Sequence, residues 1–185
     1  MESGSPDAVG KNASVALILR PEDPSEADPL AQATQVLVIK RARSERDPWS
    51  GHMALPGGRV EHSDRDLVHT AVRETMEETA LDLDIGGQAL GRVETVRPVG
   101  GGLPAMTIWP FVFRVPHGSL AFPNSHEVAE VHWFSVADLT AAPNQDLYRF
   151  RHRGQDRDFP CIRIGGQVIW GLTYRILTRF FALVS

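Results

Sequence analysis

Short apolar runs, separated by polar connections that often contain glycine or proline, recur along this chain and limit the folds open to it. Runs of this kind are typical of buried strands, whereas a helical period is clear in only two places. The predicted strands cover residues 13–19, 35–40, 52–54, 90–96, 105–115, 128–134, 158–164 and 167–170. The predicted helices cover 64–79 and 172–183, with a helical turn at 135–139. This mixed order favours a layered α/β architecture.

Length and composition are those of one globular domain. The 185 residues are 42% hydrophobic and 23% charged, so the chain can bury a core. We expect residues 1–12 to be a flexible segment and residues 13–185 to be a single domain. The net charge of −4 disfavours polymeric nucleic acid as a partner. The sequence has neither an apolar signal core near its start nor an apolar run of about 20 residues. We therefore expect a cytoplasmic protein without a membrane partner.

The second half of the first predicted helix concentrates charge in the run Arg73-Glu74-Thr75-Met76-Glu77-Glu78. Glu74, Glu77 and Glu78 stand at positions i, i+3 and i+4, which share one helix face. Alone, this pattern indicates a solvated acidic face. The glycine turn Gly57-Gly58 before the helix changes that interpretation, because it can bring the backbone close to a ligand. Clustered carboxylate oxygens suit Mg²⁺, with Mn²⁺ as a substitute.

The flanking residues and the apolar pattern predict how this helix is held. Ser63 or Asp64 is expected to cap its N-terminus, since either side chain can accept hydrogen bonds from the first backbone amides. An apolar stripe is expected to face the core and to anchor the acidic face. Its members are Leu67, Val68, Ala71, Val72 and Met76.

The stretch from Gly58 to Leu81 resembles the Nudix box, the signature of the Nudix hydrolases. The resemblance implies the α/β/α sandwich of that family, with a mixed central sheet. It also implies metal-dependent attack of water on a phosphoanhydride bond. By the same resemblance Glu74, Glu77 and Glu78 bind the metal with help from Gly58, and Arg73 holds the carboxylates in place.

The box departs from the family pattern at four points. Asp64 replaces the usual Glu, the spacing from Asp64 to Arg73 is one residue longer, Thr75 replaces a bulky apolar residue, and Ala80 replaces Gly. The first two departures resemble the coenzyme A pyrophosphatase branch of the family. The stretches 123–128 and 168–173 also resemble that branch, whereas its upstream motif is only partly matched.

Further candidate site residues lie outside the helix. Arg41 and Arg46 match part of the upstream motif and are candidates for binding phosphate. Trp49 is expected either to stack on a base or to cover the edge of the core. Glu127, with Glu130 as its rival, is expected to be an additional metal ligand or base. The last candidates for contact with the substrate are the backbone groups of Gly57 and Gly58.

The predicted function is hydrolysis of a small nucleotide substrate with a diphosphate linkage: a nucleoside triphosphate, coenzyme A or a related derivative. The predicted catalytic residues are Arg73, Glu74, Glu77, Glu78 and Glu127. One alternative is a nucleotide sensor on the same fold without catalysis. Another is an isomerase, which would need a catalytic cysteine near the metal. The single cysteine, Cys161, has apolar neighbours in a strand pattern and is expected in the core. A homodimer, common among relatives, stays open.

Overall fold

The computed structural model describes residues 11–25, 33–44, 49–98, 105–152 and 155–184. The strands in these ranges are β1 Asn12–Arg20, β2 Gln35–Arg41, β3 Met53–Ala54, β4 Gly57–Arg59, β5 Gln88–Arg92, β6 Thr107–Arg114, β7 Val128–Ser135, β8 Gln145–His152, β9 Gln155–Ile164 and β10 Gln167–Trp170. The helices are α1 Leu67–Thr79, α2 Val136–Thr140 and α3 Gly171–Val184, and a 3₁₀ turn spans Ala142–Asn144. None of these helices is long and apolar enough to cross a bilayer.

Strands β1 to β7 form one mixed sheet around β1. Strand β1 runs parallel to β6 and antiparallel to both β2 and β4, with Leu19 opposite Val36 and Ala13 opposite Arg59. Strand β2 also pairs antiparallel with β3 and β7, and β5 pairs antiparallel with β6. Because packed layers cover both faces of the sheet at β1, this strand is buried along most of its length, as its nearly continuous apolar run predicts.

Each face of this sheet carries its own apolar core. Ala16 and Ile18 of β1 point to one face and pack in a cluster with Ala71 of helix α1. Leu17 and Leu19 point to the other face, where helix α3 and the sheet β8–β9–β10 cover them. The predicted α/β/α sandwich with a mixed central sheet is thus confirmed. One of its outer layers is part helix and part antiparallel sheet.

Three elements differ from the sequence-based expectation. Strand β8 was not predicted, because it has no apolar run and Leu147 in it is 58% exposed. Strand β5 was expected at 90–96, but Val96 forms only an isolated bridge with Ile108. Strand β1 begins at Asn12, inside the segment expected to be flexible, and the Asn12 side chain accepts a hydrogen bond from Trp109 Nε1 at 3.0 Å.

Helix α1 begins later than expected and has a different apolar stripe. Its N-cap is Asp66, whose side chain accepts a hydrogen bond from the His69 amide at 2.8 Å, so the prediction of Ser63 or Asp64 as the cap is wrong. Met76 is 44% exposed and does not belong to the buried stripe. Thr75 is buried in its place, and it can be so because its hydroxyl donates to the Ala71 carbonyl at 2.7 Å.

Candidate active site

Strand β4 presses two glycines against helix α1. The Gly57 amide donates to Glu78 Oε2 at 2.9 Å. Gly57 has a φ of +149°, and a β-carbon there would overlap the Ser14 carbonyl of β1. A β-carbon on Gly58 would overlap the carboxylate of Glu74. Position 57 therefore requires glycine, because of its φ and its contact with strand β1. The lack of a side chain at Gly58 leaves space for the Glu74 carboxylate.

Arg73 is tied to the connection before helix α1 through Asp64. Its Nε and Nη2 donate to the two oxygens of Asp64 at 2.9 and 3.0 Å, the bidentate geometry that a guanidinium favours. The Asp64 side chain is 0% exposed and also accepts hydrogen bonds from Thr70 Oγ1 and the Glu61 amide. Burial alone would raise the pKa of Asp64, but these donors, Arg73 first among them, hold it well below its usual range. Asp64 is therefore a charged anchor for Arg73.

The remaining donors of Arg73 reach two acids of the box. Arg73 Nη1 lies 3.1 Å from Glu74 Oε1 and 3.3 Å from Glu77 Oε2. Glu74 is largely buried, and this burial raises its pKa while the charge of Arg73 opposes the shift. The predicted role of Arg73 in holding the carboxylates has this arrangement in its favour.

Glu78 is the most enclosed of the three acids. It is 4% exposed, and this burial raises the pKa of Glu78 to about 8, against the hydrogen bond from Gly57. The negative charge of Glu74 adds to the rise, and the charge of Arg41 opposes it. A buried carboxylate of this kind has much to gain from a nearby cation.

The loop between β6 and β7 lies across the C-terminal end of helix α1. The amides of Phe122 and Asn124 each donate at 3.0 Å, to the carbonyls of Thr79 and Glu78 respectively. The Asn124 side chain donates to the Met76 carbonyl at 3.1 Å. The two amides satisfy carbonyls of the last helical turn, and the Asn124 side chain adds a second hydrogen bond to the Met76 carbonyl, which also accepts from the Ala80 amide. Together these bonds fix where the loop runs.

This loop brings Glu127 next to Arg41 and near Glu78. Arg41 Nη2 lies 4.0 Å from Glu127 Oε2, and the Ala42 amide donates to the Glu127 carbonyl at 2.7 Å. Glu127 and Arg41 both lie close enough to Glu78 to act on its charge. The rival residue Glu130 is occupied elsewhere, since it accepts hydrogen bonds from Lys40 at 2.7 Å and from His132 at 2.8 Å.

The side chains of the three acids point in different directions. Across the described ranges, no three carboxylate, imidazole or thiol groups stand together as a formed ion site. Arg73 draws Glu74 and Glu77 to itself, whereas Glu78 turns toward Gly57. Glu77 is 56% exposed and has room to rotate toward the other two. The three carboxylates thus lie in one region of the structure and have different partners.

The other sequence-based candidates fall in different places. Arg46 lies outside the described residues, as do the glycines at 100–102. Trp49 is half-buried, and its carbonyl accepts a hydrogen bond from the His52 amide at 3.0 Å. Cys161 is 0% exposed, and burial raises the pKa of its thiol, so its predicted place in the core is confirmed.

Sequence reasoning missed two residues that organise the site. The sequence predicts Asp64 as a helix cap and as a substitute for Glu, and it does not predict the pairing of Asp64 with Arg73. Asn124 falls within the stretch 123–128, for which the sequence shows only a resemblance to the coenzyme A branch. A second acid two residues further on, Asp66, was available as the cap and could have freed Asp64 for its role as the partner of Arg73.

A family model described as the NUDIX domain matches residues 14–154 of the chain. Mitochondrial coenzyme A diphosphatase NUDT8 of Homo sapiens is 35% identical over 133 residues, which cover 70% of this chain and 54% of the relative. An uncharacterized Nudix hydrolase, NudL of Pectobacterium atrosepticum, is 25% identical over 156 residues, which cover 84% of this chain and 79% of the relative. The chain spans about half the length of the first curated relatives it matches.

Solved structures share the fold. An Ap4A hydrolase of C. elegans, crystallised as a binary complex, superimposes with a TM-score of 0.56 at 18% identity, over 94% of this chain and 96% of that chain. A MutT/nudix family protein of Enterococcus faecalis gives a TM-score of 0.57 at 17% identity, over 100% of this chain and 64% of that chain. At these identities the likeness concerns the arrangement of strands and helices.

Proposed function

The chain belongs to the Nudix hydrolase family, and on that premise we propose that it is a divalent-metal-dependent pyrophosphohydrolase of small nucleotide substrates. The observation that carries the proposal is the meeting of Glu78 and Glu74 with the Gly57-Gly58 turn, beside Arg41 and Glu127. Helix, strand and loop each supply one part of this site. A fold without a catalytic role has little need to bury acids that repel one another.

The residues present fit a Mg²⁺ ion, with Mn²⁺ as a substitute. Glu74, Glu77 and Glu78 offer the hard oxygen atoms that such ions prefer. The space that a β-carbon would fill at Gly58 borders the Glu74 carboxylate, so the Gly58 backbone would help to hold the same ion. When bound, the ion supplies neutralisation of the phosphate charges and a more acidic water.

The protein's own groups have separate tasks in this proposal. Arg41 binds a phosphate oxygen, because a guanidinium matches phosphate geometry and this one already faces acids. Glu127, whose side chain is 57% exposed, accepts the proton of the attacking water. Arg73, held by Asp64, keeps Glu74 and Glu77 in position. The Gly57 amide orients Glu78.

We place a coenzyme A-like nucleoside diphosphate derivative first among the substrates. The Asp64 spacing and the 123–128 stretch, which resemble the coenzyme A branch, and the likeness to a relative named coenzyme A diphosphatase favour this class. Nucleoside triphosphates are the second class, because the upstream coenzyme A motif is incomplete. The cytoplasm is the proposed compartment; the human relative is named as mitochondrial.

A hydrolysis screen tests the proposal. Coenzyme A, nucleoside triphosphates, dinucleoside polyphosphates, nucleotide sugars and NADH are each incubated with the protein and Mg²⁺ or Mn²⁺, and products are identified by mass spectrometry. We expect metal-dependent cleavage of a diphosphate linkage. Binding of nucleotides without turnover of any compound would support a sensor and overturn the proposal.

Matched acid-to-amide variants identify the site. Glu127→Gln is expected to lower kcat by about 100-fold or more, since general acid–base groups contribute about 10²–10⁴-fold. Glu78→Gln removes a metal-binding carboxylate and is expected to abolish most turnover. Glu130 lies three residues after Glu127 and is bound to Lys40 and His132. Glu130→Gln should therefore leave kcat nearly unchanged. If Glu130→Gln lost more activity than Glu127→Gln, the two assignments would be reversed.

A further inference from the structure

A cluster of aromatic rings surrounds Trp170 at the end of β10. The ring centroid of Trp170 lies 4.9 Å from Tyr148, 4.8 Å from Phe150, 5.5 Å from Phe159 and 4.9 Å from His52. All five side chains are half-buried, and none belongs to either apolar core. We call this group the aromatic platform. Its rings are held by one another and still present surface to solvent.

His52 connects the aromatic platform to the carboxylate site. The Arg41 amide donates to the His52 carbonyl at 3.0 Å, which continues the pairing of Ile39 with Ala54. Cross-strand neighbours in an antiparallel pair project from the same face of the sheet. Arg41 and His52 therefore share a face, whereas Met53, the next residue after His52, points into the core on the other face.

A series of contacts leads from acidic to cationic to aromatic groups. Glu127 lies beside Arg41, whose charge also acts on Glu78. The Arg41 amide donates to the His52 carbonyl, and the His52 ring contacts Trp170 of the aromatic platform. A nucleoside diphosphate has a matching order of parts: metal-binding phosphates at one end, and a planar base at the other. Aromatic side chains bind bases of any kind by stacking, because every base has a π-face.

We propose that the aromatic platform binds the nucleobase of the substrate while the diphosphate lies at Glu74, Glu77 and Glu78. The inference rests on the proposed function and adds the binding determinant for the base. It moves the stacking role expected of Trp49 to Trp170, Phe150 and Tyr148. The stacking surface comes from β8 and β10, strands that supply none of the box.

Two ligands that resist hydrolysis, one with a base and one without, measure the contribution of the base to binding separately from that of the diphosphate. The probes are α,β-methylene-ADP and methylenediphosphonate, each titrated with Mg²⁺ by calorimetry. Stacking on a base is worth about 1–3 kcal/mol, so the nucleotide should bind wild-type protein roughly 10-fold more tightly than the diphosphonate. Trp170→Leu and Phe150→Leu should each remove most of that difference and leave diphosphonate binding unchanged. Phe181→Leu, a half-buried aromatic substitution on α3, is the matched control and should leave both affinities unchanged.

The outcomes distinguish the two levels of the proposal. Equal affinity of the wild type for both ligands would overturn the base site and leave the proposed function intact. Equal weakening of both ligands in Trp170→Leu and Phe150→Leu would also overturn it, because the rings would then act only by supporting the site. Failure of both ligands to bind wild-type protein would overturn the proposed function as well. Thermal unfolding of each variant identifies one that does not fold, in which case Tyr148→Leu replaces it.

Discussion

Asn124 holds the end of helix α1 next to Glu78. Its amide donates to the Glu78 carbonyl at 3.0 Å, and its side chain donates to the Met76 carbonyl at 3.1 Å. Three residues further on, the same loop presents Glu127 to Arg41. The hydrogen bonds of Asn124 to the helix terminus therefore set the distance between Glu78 and Glu127.

Removing the Asn124 side chain should lower kcat more than it lowers the free energy of unfolding. Asn124→Ala loses one hydrogen bond, worth about 1 kcal/mol of unfolding free energy. It should also lower kcat by about 10-fold or more, because small displacements of catalytic groups are costly. Asn144→Ala is the control: the Asn144 side chain donates to the Asp138 carbonyl at 2.8 Å, far along the chain from the box. Equal kcat losses in both variants would contradict the positioning role of Asn124.

The buried pair of Asp64 and Arg73 should dominate the stability of the site. Asp64→Asn is expected to lower the free energy of unfolding by about 2–4 kcal/mol, since breaking a buried ion pair leaves a charge uncompensated. Asp158→Asn removes an acid bound to Arg149 in an exposed pair, with side chains 71% and 42% exposed, and should barely change the urea midpoint. Similar midpoints for the two variants would show that Asp64 is not the anchor of Arg73.

The low pKa of Asp64 also predicts the acid stability of the fold. The folded-state pKa lies below the unfolded value, so the stabilisation is present above the unfolded pKa. It is lost as pH falls below the ordinary carboxyl range toward the folded pKa. Urea midpoints measured from pH 5 downward should therefore converge for the wild type and Asp64→Asn. A constant difference down to the most acid pH would contradict the assignment.

Glu78 should act on stability in the opposite direction. Its folded-state pKa of about 8 lies above its unfolded value, so the folded protein without metal binds more protons than the unfolded chain between these values. Stability should fall as pH rises from about 4.5 to 8, by at most about 1.4 kcal/mol per pH unit. Unfolding in urea with EDTA measures this slope, and Glu78→Gln should flatten it. Parallel curves for both proteins would refute the shift.

Ala80 marks a place where the chain can be made more stable. It ends helix α1 with a φ of +54°, a left-handed conformation that favours glycine. Ala80→Gly should raise the free energy of unfolding by about 0.5–1 kcal/mol. Ala137→Gly, within helix α2, should lower it by a similar amount, because glycine there only adds freedom to the unfolded chain. A loss of stability in Ala80→Gly would show that its backbone is not strained.

The box was predictable from the sequence because its geometry is local. The i, i+3 and i+4 spacing of Glu74, Glu77 and Glu78 puts them on one side of any helix they form. The paired glycines likewise predict that the backbone approaches its neighbours closely. The central strands were predictable for a similar reason, since strands buried on both faces have nearly continuous apolar runs.

The local sequence pattern did not predict secondary structure that is formed by exposed residues. Strand β8 lies on the surface and is held by its pairing with β9. Its sequence therefore contains no apolar run that would predict a strand. The aromatic platform was missed with it, because Tyr148 and Phe150 meet Trp170 only after β8, β9 and β10 have paired. Only the register of these strands brings the rings together.

The sequence by itself determined the family, the acidic helix face and the glycine turn, because each depends on residues close together in the chain. The tertiary structure decided which partner each acid has. Asp64 binds Arg73 instead of capping the helix, and Glu127 rather than Glu130 lies near Glu78. Those choices follow from sheet register and from the path of a loop over a helix end. Both depend on packing between segments far apart in the chain, which no local spacing records.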